Sequence, residues 1–152
     1  MSTPMIEPRR SGRVLLVDRA DRVLLFCGAD PAAPAAGSWW FTPGGGLDPG
    51  ETEREGAARE LYEETGLRCR AEDLIGPVHV EESMFEFATR RLLQHSTFFL
   101  LRVDSHEVDV SGFEELEASS ISGHRWWSRE ELLATTDVFY PRSLADVLDR
   151  VL

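Results

Sequence analysis

Apolar and polar positions alternate between short runs along this chain, and the runs sort into elements. Arg13 to Val17 and Arg22 to Cys27 are apolar and β-leaning, and they flank Asp18-Arg19-Ala20-Asp21. That arrangement predicts a hairpin. Asp30 to Gly37 reads DPAAPAAG, a Pro/Ala-rich loop rather than a domain linker, because a dense motif follows at once. Ser38 to Thr42 predicts a short aromatic strand leading into Gly44-Gly45-Gly46. Thr52 with Glu55 three residues on is a capping-box signature, and Pro49-Gly50 before it is turn material. A helix is therefore expected from near Thr52, through Ala57, Ala58 and Leu61, to a stop at Gly66. Strands are predicted at Val78 to Phe87 and Thr97 to Val103, with Arg90-Arg91 in the turn between them. Asp104 to Ser122 is a polar, acidic stretch read as loop. His124 to Trp127 predicts a strand, and Ser128 to Leu133 begins a helix with Ser128 as N-cap and Glu131 at N3. Pro141 to Leu152 predicts a terminal amphipathic helix. Mixed strands with helix segments indicate an α+β fold with a mixed central sheet between helices. The expectation is one domain over residues 1–152, disordered over about the first ten.

The helix at Thr52 carries the chemistry. Glu60, Glu63 and Glu64 are spaced i, i+3 and i+4, so they project from an arc of about 100°. Neighbouring carboxylates there sit about 6 Å apart and repel by about 3 kcal/mol at an effective dielectric near 20, less when solvated. A divalent cation turns that repulsion into attraction, and hard oxygen ligands are what Mg²⁺ accepts. A solvated acidic face is the bland alternative. The glycines before the helix argue against it: without Cβ atoms, backbone at Gly44, Gly45 and Gly46 can approach a phosphate or offer the Gly44 carbonyl to a metal. Trp39, Trp40 and Phe41 alternate sides in a strand, so one face packs in the core and the other can stack a base. Trp40 is the ring expected to face substrate, beside Gly45 and Gly46.

From Gly45 to Leu67 the chain reads GGLDPGETEREGAARELYEETGL, and the spacing within it is specific. It resembles the Nudix box, G-x5-E-x7-R-E-U-x-E-E-x-G-U with U a bulky aliphatic, at every specified position. From residue frequencies an accidental match is on the order of 10⁻⁷, so the resemblance carries weight. It implies a Nudix-type α/β/α sandwich and a hydrolase that cleaves a nucleoside diphosphate linked to another group, with Mg²⁺ or Mn²⁺ as cofactor. The products would be a nucleoside monophosphate and phosphorylated X, or pyrophosphate from a triphosphate. By resemblance, Arg59 orients the catalytic carboxylates with help from Glu51. Glu60, Glu63 and Glu64 ligate metal together with the Gly44 carbonyl. Either Glu60 or a carboxylate of a later loop serves as base. In that later loop Glu117 is the expected further metal ligand, with Glu115 as the alternative. A Nudix-fold module that binds nucleotide without cleaving it is the competing reading, but such modules commonly lose box carboxylates, and this chain keeps them all.

Composition narrows the partners. Net charge is −11 and all sixteen basic residues are Arg, which argues against a broad grip on duplex nucleic acid. It leaves a small nucleotide open, because bound metal reverses the local field. Any other cation on phosphate must then be Arg. Cys27 and Cys69 lie in unrelated segments and the four histidines are scattered, so neither a zinc site nor a disulfide is expected. No segment has transmembrane length and no signal-peptide core stands near Met1. The expectation is a cytoplasmic protein without membrane partners, monomeric or homodimeric.

Overall fold

The computed structural model describes residues 5–87, 89–112 and 120–152. Strand β1 (Ile6–Val17) is the spine. It runs parallel to β6 (Arg90–Arg102) along its whole length, from Ile6 opposite Arg91 to Val17 opposite Arg102. On its other edge β1 divides its partners. Ser11, Gly12 and Arg13 pair with β4 (Gly44–Gly46), while Val17 pairs with Val23 of β2 (Val23–Ala29). The hairpin turn is held by Asp18, whose Oδ1 accepts from the backbone N–H groups of Ala20 and Arg22 at 2.9 Å each. This is the self-capping for which Asp is favoured in turns. β5 (Ile75–Phe87) lies antiparallel outside β6. β2 carries both β3 (Ser38–Phe41) and β7 (Ile121–Trp127), and β8 (Phe139–Tyr140) closes the path β5-β6-β1-β2-β3-β8.

Alternation along β1 and β2 makes two cores. Val14, Leu16, Leu24 and Phe26 face helix α1 (Glu53–Thr65) and pack with its Ala57, Ala58 and Leu61. Leu15, Val17, Val23 and Leu25 face the other way, against Trp127 and the helices α2 (Arg129–Ala134) and α3 (Leu144–Val151). The result is the expected α/β/α sandwich with a mixed sheet. Helix α1 meets β1 closely because Gly12 has no side chain: a Cβ there would lie 2.1 Å from the Glu53 carbonyl oxygen. The capping box at Thr52 is present in both directions, with N···O distances of 2.9 and 3.1 Å. Gly66 ends the helix in the left-handed region at φ 76°, which a Cβ disfavours.

Several boundaries differ from expectation for one physical reason, pairing over propensity. β1 starts at Ile6, within the stretch expected to be disordered, because β6 pairs it from its first residue. β6 starts at Arg90 rather than Thr97, so Arg90 and Arg91 are strand, and the positive φ falls on Thr89 at 65°. The three glycines, left without an element in the sequence, form a strand of their own, β4. The two-residue β8 carries no readable pattern, and α3 starts at Leu144, past Pro141. Within the stretch expected as an acidic loop, residues 113–119 lie outside the described ones. Among the described residues no helix is long and apolar enough to cross a membrane.

Candidate active site

The phase that Thr52 and Glu55 set for α1 sends Glu60, Glu63 and Glu64 toward the glycine strand. Glu64 is 2% exposed, and its Oε1 accepts the Gly44 N–H at 2.7 Å. That bond offsets part of the cost of burying a carboxylate. Glu60 lies against Gly45, where a Cβ would stand 2.8 Å from the carboxylate carbon. The bare backbone of β4 is thus what lets two helix carboxylates reach past the strand.

Arg59 organises the cluster. Its Nε and Nη2 donate to the two oxygens of Glu51 at 2.7 and 3.0 Å, a bidentate pair of the strong, directional kind. Nη2 also reaches the Gly46 carbonyl at 3.0 Å. Nη1 donates to Glu60 at 3.0 Å and to Glu63 at 3.2 Å, and Asp48 stands 3.1 Å from Nε. The hydrogen bonds to Glu51 push the Arg59 pKa up from its ordinary value, with burial opposing and Glu60 adding to the rise. In turn Arg59 holds Glu51 below the usual carboxylate value, opposed by burial and helped by the Asp48 N–H.

These groups open onto a cleft of about 530 Å³. Behind the carboxylates, Arg13 donates to the Thr42 carbonyl at 2.9 Å. Burial lowers its pKa, Glu64 raises it, the positive Arg9 lowers it and Glu60 raises it. The far wall comes from β5 and β6, with Glu81, Ser83, Gln94 and Ser96 on the cleft side. The remaining side is aromatic, Trp39 and Phe41 of β3 and Tyr140 of β8.

The structure therefore brings Gly44, Gly45, Glu51, Arg59, Glu60, Glu63 and Glu64 together around one end of the cleft. Gly46 sits under Arg9, whose guanidinium fills the space a Cβ would take, 2.5 Å from it. Trp40 is placed elsewhere, which corrects the expectation that it faces substrate. Its ring packs edge-on against Trp127 at 5.1 Å and its Nε1 reaches Asp137 at 3.2 Å, on the α2/α3 side of the sheet. Trp39 and Phe41, the rings of opposite phase, line the cleft. Glu117 and its alternative Glu115 lie outside the described residues. The cleft residues that the sequence reading passed over are Arg9, Arg13, Glu81 and Gln94. They sit in runs that are polar at successive positions, such as Arg9-Arg10-Ser11, Glu81-Glu82-Ser83 and Gln94-His95-Ser96, so alternation carries no signal for them.

The donor set suits a hard divalent cation. Glu60, Glu63, Glu64 and the backbone of Gly44 and Gly45 line one wall, where they would offer oxygen atoms to such an ion. Among the described residues no three His, Cys, Asp or Glu side chains already converge on a metal-ion position, and Arg59 spans Glu60 and Glu63. An open half-shell is what Mg²⁺ takes, since it keeps several waters and binds through one or two carboxylates plus phosphate.

Comparison with known proteins bears on the family. The profile of the NUDIX domain matches residues 7–147. A MutT-like protein of Streptomyces ambofaciens is 37% identical over 141 residues, 93% of this chain and 71% of that protein. An RNA pyrophosphohydrolase of Erythrobacter litoralis (strain HTCC2594) is 33% identical over 110 residues. That alignment takes in 67% of this chain and 65% of the relative, so the chain spans less than two thirds of its length. The crystal structure of a MutT NUDIX hydrolase from Burkholderia pseudomallei superposes with a TM-score of 0.67 at 20% identity, over 96% of this chain and 99% of that one. At that identity the likeness speaks to the fold alone.

Proposed function

The chain belongs to the NUDIX domain family, and we propose that it hydrolyses a phosphoanhydride bond of a nucleoside diphosphate linked to a further group. The observation that carries this reading is Arg59 spanning Glu51, Glu60 and Glu63 at the mouth of a cleft whose far walls suit a nucleoside. A phosphoanhydride resists water because its oxygens are negative, so the site must supply positive charge and a proton acceptor. Mg²⁺ or Mn²⁺, held by Glu60, Glu64, Glu63 and the Gly44 carbonyl, would neutralise those oxygens and lower the pKa of attacking water. The protein's own groups do the rest. Glu51 and the Gly46 carbonyl fix the Arg59 guanidinium, and through Nη1 that group holds Glu60 and Glu63 in orientation. Glu60 takes the proton of the attacking water; Glu117 in the later loop completes the oxygen set. Gly45 and Gly46 leave their space to the Glu60 carboxylate and the Arg9 guanidinium, so phosphate is met there by Arg9, and Trp39 with Phe41 supplies a stacking surface. The enzyme works on a small nucleotide, without duplex nucleic acid or membrane.

The experiment is turnover of a nucleotide panel with Mg²⁺, set against Glu64→Gln. The panel includes ADP-ribose, a dinucleoside tetraphosphate, nucleotide sugars, nucleoside triphosphates and triphosphate-ended RNA, the last because of the Erythrobacter relative's name. Release of a nucleoside monophosphate or pyrophosphate by the wild type, lost in the variant, is the expected result. Tight nucleotide binding with no turnover of any panel member would leave a binding module instead.

A further inference from the structure

We propose that Glu81, held in place by His79, is the residue that reads the nucleoside part of the substrate, accepting hydrogen bonds from a neutral donor group. This rests on the nucleotide reading above. Glu81 lies on β5, across the cleft from the box carboxylates, and lines the same space. The His79 ring approaches it with Nε2 2.9 Å from Oε1. His79 is itself fixed: its side chain is 18% exposed and its ring packs 5.5 Å from that of Phe98. One carboxylate oxygen is therefore engaged and the group is aimed, at 30% exposure, into the cleft.

Its neighbours show what kind of group it meets. Across the sheet Glu81 stands opposite Ser96, and Ser96 opposite Ser11; one step along, Ser83 stands opposite Gln94. Ser11, Ser96 and Gln94 are all buried, with the two hydroxyls 2.9 Å apart and the Gln94 amide donating to Ser96 at 3.4 Å. Between Arg9, which stands opposite Gln94, and Glu81 the floor is uncharged and polar, and it ends in one oriented carboxylate. A phosphate is repelled by such a carboxylate. A cation is poorly served there, since among the described residues Glu81 is the one carboxylate on this wall and one of its oxygens already meets His79. Hydroxyl and amine donors fit: a carboxylate accepts from a vicinal sugar diol or from an exocyclic amine, as acidic residues do on the ribose of dinucleotides.

Titration calorimetry with AMP, 2′-deoxy-AMP and IMP tests this without requiring turnover. Glu81→Ala should weaken AMP binding about tenfold, in line with the loss of a hydrogen bond to a charged group. The wild type should lose a similar factor for 2′-deoxy-AMP if the donor is the sugar, or for IMP if it is the base amine. Glu81→Ala should not distinguish that analogue from AMP. Glu82→Ala, on the exposed face of β5 beside His95, should bind AMP like the wild type. His79 acts as a positioning residue, so His79→Phe should shrink the wild-type discrimination between analogues, a ratio that general loosening of the strand would not move. The proposal is overturned if AMP does not bind, if Glu81→Ala binds it as the wild type does, or if the wild type treats all three ligands alike. Absent turnover with AMP binding intact counts against the hydrolase reading only.

Discussion

The two walls of the cleft are built in opposite ways. The acidic wall is one helix and the turn before it: Glu51 to Glu64 span fourteen consecutive positions, and a capping box sets their phase. Its geometry is local, so spacing alone places its carboxylates. The facing wall is collected from β5, β6 and β3, where Glu81, Gln94 and Trp39 meet only because of sheet pairing. Catalytic electrostatics need rigid, closely spaced groups, and a helix provides them. Selection among substrates can change one strand position at a time without disturbing that helix.

The largest expected effect falls on the acidic wall. Glu60→Gln and Glu64→Gln should each lower kcat by about 10²-fold or more, the scale of losing preorganised charge at a reacting centre. Glu60→Gln should fold, because Arg59 retains Glu51, Asp48 and Glu63. Near-full turnover by either variant would mean that the helix is not the chemical wall.

That division also explains what could be read beforehand. The box, its cap and its stop at Gly66 were legible because each depends on residues within one or two turns. The hairpin of β1 and β2 was legible in two continuous apolar runs around Asp18, and the structure buries both of their faces. What escaped was set by distant pairing. Gly44 to Gly46 became a strand because the exposed edge of β1 accepts them. Arg90 and Arg91 joined β6 because β5 pairs both of them and β1 pairs Arg91. The assignment of Trp40 failed for a related reason. Alternation separates Trp40 from Trp39 and Phe41 but does not say which side is core, and that choice depends on Trp127, 87 positions away.

The aromatic strand sharpens the comparison, since adjacent residues on β3 belong to different jobs. Trp40→Ala removes a half-buried ring packed on Trp127. It should destabilise the protein by about 2 kcal/mol, below the 3–5 kcal/mol of a fully buried ring, read as a lowered denaturant midpoint. Trp39→Ala, on the cleft side, should raise KM about tenfold, within the range for losing a stacked base, and shift the midpoint much less. If the two variants exchange phenotypes, the cleft has been assigned to the wrong face of β3.

The smallest effect concerns Glu51, and its sign follows from the direction of its shift. The Arg59 hydrogen bonds hold the folded Glu51 carboxyl below its ordinary 4.5, with burial opposing. A group depressed in this way binds its proton more readily in the unfolded chain. Its contribution is therefore complete above about pH 4.5 and is lost as pH falls through the lower folded value. Glu51→Gln lacks that linkage. Urea unfolding of the two proteins should differ at neutral pH and converge as pH is lowered below 4.5, with modest amplitude because Arg59 is partly solvated. A gap that stays constant down to the acid limit would show that the Glu51–Arg59 pair acts through packing and not through charge.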